Sequence, residues 1–463
     1  MQDSESHDTI LKGSLMYLLQ FRQPLSTEVL DASALARYAA EFWNSHLQKT
    51  QDQTEGSQLA IILMSDDNPA YLNWIKLYDP DTPWQGPDLG KDLENVATPL
   101  YYAALCGLDV TTRLLLEEGA DVNAQGGEYG NALQAASDRG HEQMVKMLLD
   151  KGADVNAQGG YCGNALQAAS LGGHEQVVKM LLDKGADVNA QGGVYGNALQ
   201  AASLGGHEQV VKMLLDKGAD VNAQGRMYGN ALQAASLGGH EQVVKMLLDK
   251  GADVNAQGGE YGNALQAASL GGHEQVVKML LDKGADVNAQ GGHCGNALQA
   301  ASDRGHEQVV KMLLDKGADV NAQGGVYSNA LQAASQGGHE QVVKMLLDKG
   351  ADVNAQGGHC SNALQTASEG GHEQVVKMLL DKGADVNAQG GYYGNALQAA
   401  SEGGHEQVVK MLLDKGADVN AQGGEYGNAL QAASVRDHKQ VAEMLFDAGA
   451  HQLEEDDTVA GLE

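Results

Sequence analysis

Residues 192–225 read GGVYGNALQAASLGGHEQVVKMLLDKGADVNAQG, and nearly the same sequence recurs along most of the chain. The segment Gly-Asn-Ala-Leu-Gln, or Ser-Asn-Ala-Leu-Gln, recurs every 33 residues, and one divergent copy begins at Ala97. Eleven repeats therefore start at residues 97, 130, 163, 196, 229, 262, 295, 328, 361, 394 and 427. Self-similarity at a fixed period of this length predicts an all-α solenoid of stacked repeats.

Each repeat is predicted to fold as two short helices followed by an extended loop. In the copy from Gly196, Asn197 is a good N-cap for the helix ALQAASL, which two glycines end. Residues 207–217 form the second helix, with valines and leucines along one stripe, and Gly218 suits the left-handed position after it. Helices shorter than ~12–15 residues are marginal alone in water, so each repeat must bury its apolar stripe against its neighbours.

The composition excludes several classes of partner. The 463 residues carry a net charge of −31, which repels nucleic-acid phosphates and anionic membrane surfaces. No apolar run is long enough for a membrane span, and the polar, acidic N-terminus does not read as a leader. Four cysteines without a CxxC pair do not indicate a disulfide framework. We expect a monomer in the cytoplasm, with the nucleus as the alternative, and no nucleic-acid or membrane partner.

The repeats differ from one another mainly at two places. The first is the pair of residues just before Gly-Asn-Ala-Leu-Gln or Ser-Asn-Ala-Leu-Gln, here termed the first and second tip residues. These pairs are Glu128-Tyr129, Tyr161-Cys162, Val194-Tyr195, Met227-Tyr228, Glu260-Tyr261, His293-Cys294, Val326-Tyr327, His359-Cys360, Tyr392-Tyr393 and Glu425-Tyr426. The second place is the end of the first helix, which holds Asp138-Arg139, Leu171, Leu204, Leu237, Leu270, Asp303-Arg304, Gln336, Glu369, Glu402 and Val435-Arg436. Variation confined to two places indicates either selected contacts or neutral surface.

These repeats resemble ankyrin repeats over residues 97–452. The period, the segment TPLYYAA at Thr98–Ala104, the Gly-His before the second helix and the closing LLDKGADVNA carry the resemblance. Copies two to eleven depart from it, with Asn-Ala-Leu-Gln where the family usually has Thr-Pro-Leu-His, and Tyr or Cys where it usually has a hairpin glycine. The resemblance implies a concave face of hairpin tips and inner helices that binds a protein partner.

We therefore expect the partner to contact the variable positions, where tyrosine offers a large contact area and a polar tip. The expected binding residues are Glu128, Tyr129, Arg139, Tyr161, Val194, Tyr195, Met227, Tyr228, Glu260, Tyr261, His293, Arg304, Val326, Tyr327, His359, Tyr392, Tyr393, Glu425 and Tyr426. Acidic side chains outnumber basic ones at the variable positions, which favours a neutral or basic partner. Repeated, similar contact points suit an elongated or repetitive partner.

The second tip residue is cysteine in three repeats, and the first is then always an aromatic ring, namely Tyr161, His293 or His359. We interpret this as one ring per tip packing at the same spot, supplied from either position. A metal site is disfavoured, because the His-Cys pairs at 293–294 and 359–360 are two repeats apart, roughly 20 Å at the spacing of packed helices.

Catalytic motifs are absent from the sequence. It contains no phosphate-binding loop and no nucleophile elbow. Histidine opens the second helix of ten repeats, from His141 to His438, and identical histidines on identical scaffolds indicate a structural role. The chain is thus expected to be no enzyme and to hold no cofactor and no metal.

The first 96 residues lack the 33-residue repeat. Residues 1–9 are predicted to be disordered, and residues 10–96 to form helices that cap the array. In the segment SALARYAAEFWNSHLQ one face is expected to hold Leu35, Tyr38, Ala39, Phe42, Trp43 and Leu47. Solenoid ends need such a cap because they expose an apolar face. At the other end, the acidic residues 453–463 are predicted to be a disordered tail.

Segments of the cap resemble the region that joins the two halves of fungal NACHT–ankyrin receptor-like proteins. The similar segments are YLLQF, ALARYAAEFWNSHL, LNWIKLYDPD and ATPLYYAALCG. In that family the resemblance implies that the array is the sensing half, but the NACHT motifs are missing from this chain. Sequence alone therefore favours a non-enzymatic scaffold for protein recognition. The alternative is a truncated or decoy sensing half of such a receptor, with a role in non-self recognition or signalling.

Overall fold

The computed structural model describes residues 2–65, 68–359 and 361–451, and within them every named secondary-structure element is a helix. The chain divides into two compact units, residues 1–227 and 228–463. The first unit holds α1 (Gln2–Leu18), α2 (Thr27–Asp31), α3 (Ala36–Lys49), α4 (Thr54–Leu63), α5 (Pro69–Leu77), a 3₁₀ turn (Leu93–Asn95), α6 (Pro99–Leu105), α7 (Asp109–Glu117), α8 (Ala132–Asp138), α9 (Glu142–Asp150), α10 (Ala165–Leu171), α11 (Glu175–Asp183), α12 (Ala198–Leu204) and α13 (Glu208–Asp216).

The second unit continues the same alternation of a shorter and a longer helix. It holds α14 (Ala231–Gly238), α15 (Glu241–Asp249), α16 (Ala264–Gly271), α17 (Glu274–Asp282), α18 (Ala297–Asp303), α19 (Glu307–Asp315), α20 (Ala330–Gln336), α21 (Glu340–Asp348), α22 (Ala363–Glu369), α23 (Glu373–Asp381), α24 (Ala396–Glu402), α25 (Glu406–Asp414), α26 (Ala429–Val435) and α27 (Lys439–Asp447). The predicted all-α repeat array with a helical N-terminal region is confirmed.

The Asn-Ala-Leu-Gln segment caps its own helix and binds the next hairpin. Asn164 Oδ1 accepts a hydrogen bond of 2.9 Å from Gln167 N, which is the predicted N-cap of α10. The buried Gln167 side chain donates through Nε2 to the carbonyls of Ala190 and Gly196, 3.1 and 2.9 Å away. The same arrangement recurs in the second unit, so this segment holds neighbouring repeats in register.

Within each unit the core is a continuous layer of small and branched side chains. On α11, Val177, Val178 and Leu181 are fully buried, and the alanines of α10 let this first helix pack closely against the first helices of adjacent repeats. Gly185 follows α11 at φ 89°, the left-handed conformation in which a side chain would be strained. The apolar stripe that sequence predicted is therefore the surface that neighbouring repeats share.

The repeated histidines link each repeat to the preceding one. They occupy the N-cap position of the second helices, and the imidazole Nε2 of His174 donates to the carbonyl of Asp138 at 2.7 Å. In the second unit His405 makes the equivalent bond to Glu369 at 2.8 Å. This contact gives the predicted structural role a physical basis.

Residues of the N-terminal region pack onto the first repeat as a cap. Trp43 and Trp74 are fully buried with their rings 5.2 Å apart, and Trp74 also contacts Tyr102 of α6 at 5.8 Å. The hydroxyl of Tyr71 donates to the carbonyl of Ala97. The aromatic cluster thus covers the end of the array that would otherwise expose apolar surface.

Two expectations for this region are wrong. On α3 the buried face is formed by Ala36, Ala39, Ala40, Trp43 and Leu47, whereas Leu35, Tyr38 and Phe42 are exposed. Small alanines form this face because they allow α3 to pack closely against α1.

Residues 2–9 are helical rather than disordered, because α1 begins at Gln2. The buried Leu11, Leu15 and Leu18 pack α1 onto the cap, and Lys12 forms ion pairs with Asp8 and Glu55. The predicted disordered tail, 453–463, lies outside the described residues.

Candidate interaction surface

The hairpin tips of consecutive repeats are joined through their main chains. In the first unit Tyr161 N donates to Glu128 O at 2.8 Å, and Val194 N donates to Tyr161 O at 3.1 Å. In the second unit the same bond joins His293 to Glu260 and Tyr392 to His359, at 2.9 and 3.0 Å. This ladder fixes the first tip residues in a row and leaves their side chains free to vary.

In the second unit, rings of several tip residues lie side by side. Tyr228 and Tyr261 stack with their centroids 6.2 Å apart. Tyr393 contacts both Tyr392 and His359, with centroids at 5.0 and 6.3 Å. Where rings are adjacent, they form a partly exposed aromatic strip.

The ends of the first helices border this strip. Tyr426 donates through its hydroxyl to Glu402 Oε1 at 3.2 Å, and Arg436 lies over the Tyr426 ring with 6.0 Å between guanidinium carbon and centroid. In the first unit Arg139 lies over Tyr129 at 5.8 Å. The two variable places of the sequence therefore meet, and we call their combined residues the tip–helix surface.

Every predicted binding residue lies at this surface, and none is fully buried. Exposed members are Glu128, Arg139, Tyr161, Glu260, His293, Arg304, Val326, His359, Tyr392 and Glu425. Half-buried members are Tyr129, Val194, Tyr195, Met227, Tyr228, Tyr261, Tyr327, Tyr393 and Tyr426. The exposed first tip residues and the half-buried rings beneath them are both accessible to a partner.

Sequence reasoning left the helix-end carboxylates and leucines out of the expected site. Asp138, Asp303 and Glu402 are half-buried beside the tip rings, and Leu171, Leu204, Leu237 and Leu270 hold the same position in other repeats. Their variation was visible in the sequence. What could not be seen was that the end of the first helix lies next to the tip.

Burial is the main cause of the raised pKa values of two tyrosine hydroxyls at this surface. It raises the pKa of the Tyr129 hydroxyl to about 12, with the neighbouring Asp138 carboxylate adding to the effect. It also raises the pKa of Tyr327, again with a contribution from a carboxylate, that of Asp303. Tyr129 and Tyr327 therefore remain neutral hydrogen-bond donors near pH 7.

At two of the three cysteine tips the first tip ring contacts a ring of the next tip. Tyr161 packs edge-on against Tyr195 at 5.6 Å, and its neighbour Cys162 is buried. His359 contacts Tyr393 at 6.3 Å, although its neighbour Cys360 lies outside the described residues. In the part of the chain that the structure describes, no ring contact links His293 to a neighbouring tip.

The cap holds the first tip in place. Asp81 is buried, accepts a hydrogen bond from the Tyr101 hydroxyl and accepts another from Glu128 N at 3.2 Å. The Tyr101 oxygen in turn accepts from Tyr129 N at 3.2 Å. Burial raises the pKa of Asp81 to about 6, because its two hydrogen bonds only partly offset the loss of hydration. No sequence motif indicated this contact.

Residues 2–65, 68–359 and 361–451 contain neither a membrane-spanning helix nor a metal-binding cluster. Over these residues no helix is both long and apolar enough to cross a membrane. Over the same residues no three His, Cys, Asp or Glu side chains are grouped closely enough to hold a metal ion.

Paired helices, inter-repeat hairpins and one variable surface define a tandem-repeat protein. The family profile "Ankyrin repeats (3 copies)" matches residues 158–225, 232–324, 298–390 and 390–456. "Ankyrin repeats (many copies)" matches residues 132–182, and "Ankyrin repeat" matches residues 97–127. The chain belongs to the ankyrin-repeat family.

A fungal protein is among its relatives. The azaphilone pigments biosynthesis cluster protein L of Monascus ruber is 42% identical over 161 residues, which is 31% of this chain and 34% of the relative. The match thus spans about a third of each protein and extends the similarity to a fungal sequence without defining an activity.

Proposed function

We propose that the chain is a non-enzymatic scaffold that binds a protein partner at the tip–helix surface. One observation carries the proposal: repeats that are otherwise nearly identical vary at residues that the structure brings together at one surface in each unit. The invariant residues, such as Gln167 and His174, have contacts to neighbouring repeats that account for their constancy. The variable residues have an exposed side that repeat packing leaves unexplained.

Charge favours a neutral or basic partner. Among the exposed first tip residues, Glu128, Glu260 and Glu425 are acidic and none is basic apart from the histidines. The protein as a whole carries a net charge of −31. Such a field steers basic segments toward the surface and repels nucleic acids.

The proposal is tested with two variants of matched size in an affinity capture. The tip variant carries Glu260→Ala, Val326→Ala and Tyr392→Ala, all at exposed first tip residues. The control carries Glu274→Ala, Lys311→Ala and Lys377→Ala, which are exposed on second helices. Circular dichroism checks that both fold. A partner retained by the control and lost by the tip variant supports the proposal, whereas equal retention contradicts it.

A second proposal, which places the array in a larger system, is that it is the sensing or decoy part of a fungal NACHT–ankyrin receptor. Its support is the resemblance of the cap to the linker of those proteins, together with the fungal relative. None of the profiles that match the chain is a NACHT profile. Full-length transcripts that encode a NACHT domain in the same reading frame would support it, and transcripts without one would leave only the decoy form.

A further inference from the structure

Arginine occurs ten residues after the second tip residue in three repeats, as Arg139, Arg304 and Arg436. Two of these guanidinium groups lie over the ring of that tip residue, at 5.8 Å for Arg139 and 6.0 Å for Arg436. Such a cation–π contact is favourable because the ring face is electronegative. In the third repeat the second tip residue is Cys294, so Arg304 has no ring at the position that Tyr129 and Tyr426 occupy.

The consequence is an open cleft of about 670 Å³ in the second unit. Tyr261 and Tyr327 line it from the neighbouring tips, and Leu270 and Cys294 add apolar surface. Arg304 lines it too, with 62% of its side chain exposed and an ion pair to Asp303 at 3.3 Å. The cleft is a place in the tip row where other repeats have a tyrosine ring.

At the other cysteine tips a ring of the chain is present. Tyr161 contacts Tyr195 at 5.6 Å, and His359 contacts Tyr393. Over residues 228–359 and 361–451, His293 makes no such contact with Tyr261 or Tyr327. Its side chain is exposed and lines the cleft without closing it.

We propose that this cleft binds an aromatic side chain from a basic segment of the protein partner. The inference rests on the proposed function and specifies the chemistry of the partner. The incoming ring takes the place of a second tip tyrosine, with Tyr261 and Tyr327 on either side and the Arg304 guanidinium against its face. Carboxylates of Glu260 and Asp303 line the same cleft and attract lysine or arginine next to that ring.

The probe is a synthetic peptide, N-acetyl-Lys-Lys-(4-fluoro-Phe)-Lys-Lys-amide, observed by fluorine NMR with the full-length chain. We expect its resonance to shift and broaden on titration, with an affinity in the millimolar range that is typical of a single anchored side chain. Cys294→Tyr should abolish the effect, because it fills the cleft with the residue that sister repeats carry. Arg304→Gly introduces the glycine that most other repeats have at this position, and it should weaken binding of the probe about threefold. The control is Lys311→Ala, which is exposed on a second helix and outside the cleft lining and should leave binding unchanged.

The outcomes separate this inference from the proposed function. Any of three results overturns the cleft proposal. The probe resonance does not shift, it shifts equally with Cys294→Tyr, or the same peptide with leucine in place of the fluorinated ring competes equally well with the probe. If Cys294→Tyr also retains the partner that the tip variant loses, the surface binds a protein but does not use this cleft. Loss of that partner by Cys294→Tyr, together with loss of the probe shift, supports both.

Discussion

The imidazole Nε2 of His207 donates a 2.8 Å hydrogen bond to the main-chain carbonyl of Leu171, at the end of the first helix in the preceding repeat. The ring also lies so close to Gly173 that a Cβ there would come within 2.4 Å of Nδ1. Because Gly173 has a φ of 70°, both sterics and backbone conformation require glycine. The histidine thus explains why the glycine just before the histidine of the preceding repeat, here Gly173 before His174, recurs from repeat to repeat.

Replacing His207 with alanine should lower the free energy of unfolding by about 1–2 kcal/mol, because it removes an inter-repeat hydrogen bond and leaves a carbonyl without its partner. Urea unfolding followed by circular dichroism measures this. Glu208→Ala, one residue further along and exposed, should change stability by less than about 0.5 kcal/mol. Equal effects of the two substitutions would show that the histidine does not link the repeats.

Serine replaces the repeat glycine at two tips, where the backbone is left-handed. Ser328 has a φ of 70° and Ser361 a φ of 74°. Strain at such positions costs about 1–3 kcal/mol, partly offset by the greater freedom of glycine in the unfolded chain. Ser328→Gly should therefore stabilise the protein by about 1 kcal/mol, despite losing the hydroxyl bond to Gln323. The converse change, Gly196→Ser at φ 88°, should destabilise it; thermal unfolding of both variants tests the pair.

Asp81 should give the cap a stability that falls as pH rises. Its pKa increases from 3.8 to about 6 on folding, so the native state binds more protons than the unfolded state between these values. The stability that protonation of Asp81 contributes is fully present below pH 3.8 and is lost as the pH rises to about 6. The stability of the wild type minus that of Asp81→Asn should fall by about 2 kcal/mol across this range.

Tyr101→Phe provides the second variant for this contact. The Tyr101 hydroxyl bond favours the ionised form of Asp81, so its removal should raise the pKa further, and the loss of stability that begins near pH 3.8 should continue beyond pH 6. Tryptophan fluorescence follows the unfolding, since all three tryptophans lie in the cap. A difference between wild type and Asp81→Asn that is independent of pH would contradict the assignment.

The ring of Tyr161 should protect the thiol of Cys162. This cysteine is 1% exposed, and burial raises its pKa to about 12, so alkylation of the native protein at pH 8 should be slow. Tyr161→Ala should speed alkylation at Cys162 and lower stability by about 1 kcal/mol, because it also removes the edge-on contact with Tyr195. Peptide mass spectrometry reads the label, and an unchanged rate would show that the two tip positions do not compensate.

Much of the repeat could be predicted because its sequence encodes local structure many times over. Asn197 as a helix cap and Gly218 as a left-handed stop follow from backbone chemistry, and both lie where expected. The expected binding residues could also be chosen from sequence, since differences among near-identical copies stand out. Their proximity to the helix ends could not, because it depends on how the tip folds back onto its repeat.

The cap was harder to predict because it occurs once. Its aromatic residues suggested a packed face, yet Leu35 and Phe42 are exposed while small alanines are buried. The contact between Asp81 and the main chain of Glu128 joins residues 47 apart in sequence. Burial of a single carboxylate by tertiary packing has no periodic signal that sequence could show.

Photo-crosslinking tests the central claim most directly, with the photoreactive residue p-benzoylphenylalanine introduced one position at a time. The tip positions are Val326 and Tyr392, and the control positions are Lys344 and Lys410 on second helices; all four are exposed. The account predicts that one protein crosslinks to both tip positions and to neither control. Crosslinks of that protein to Lys344 or Lys410, with none at the tips, would place its binding site on the opposite helices and contradict the account.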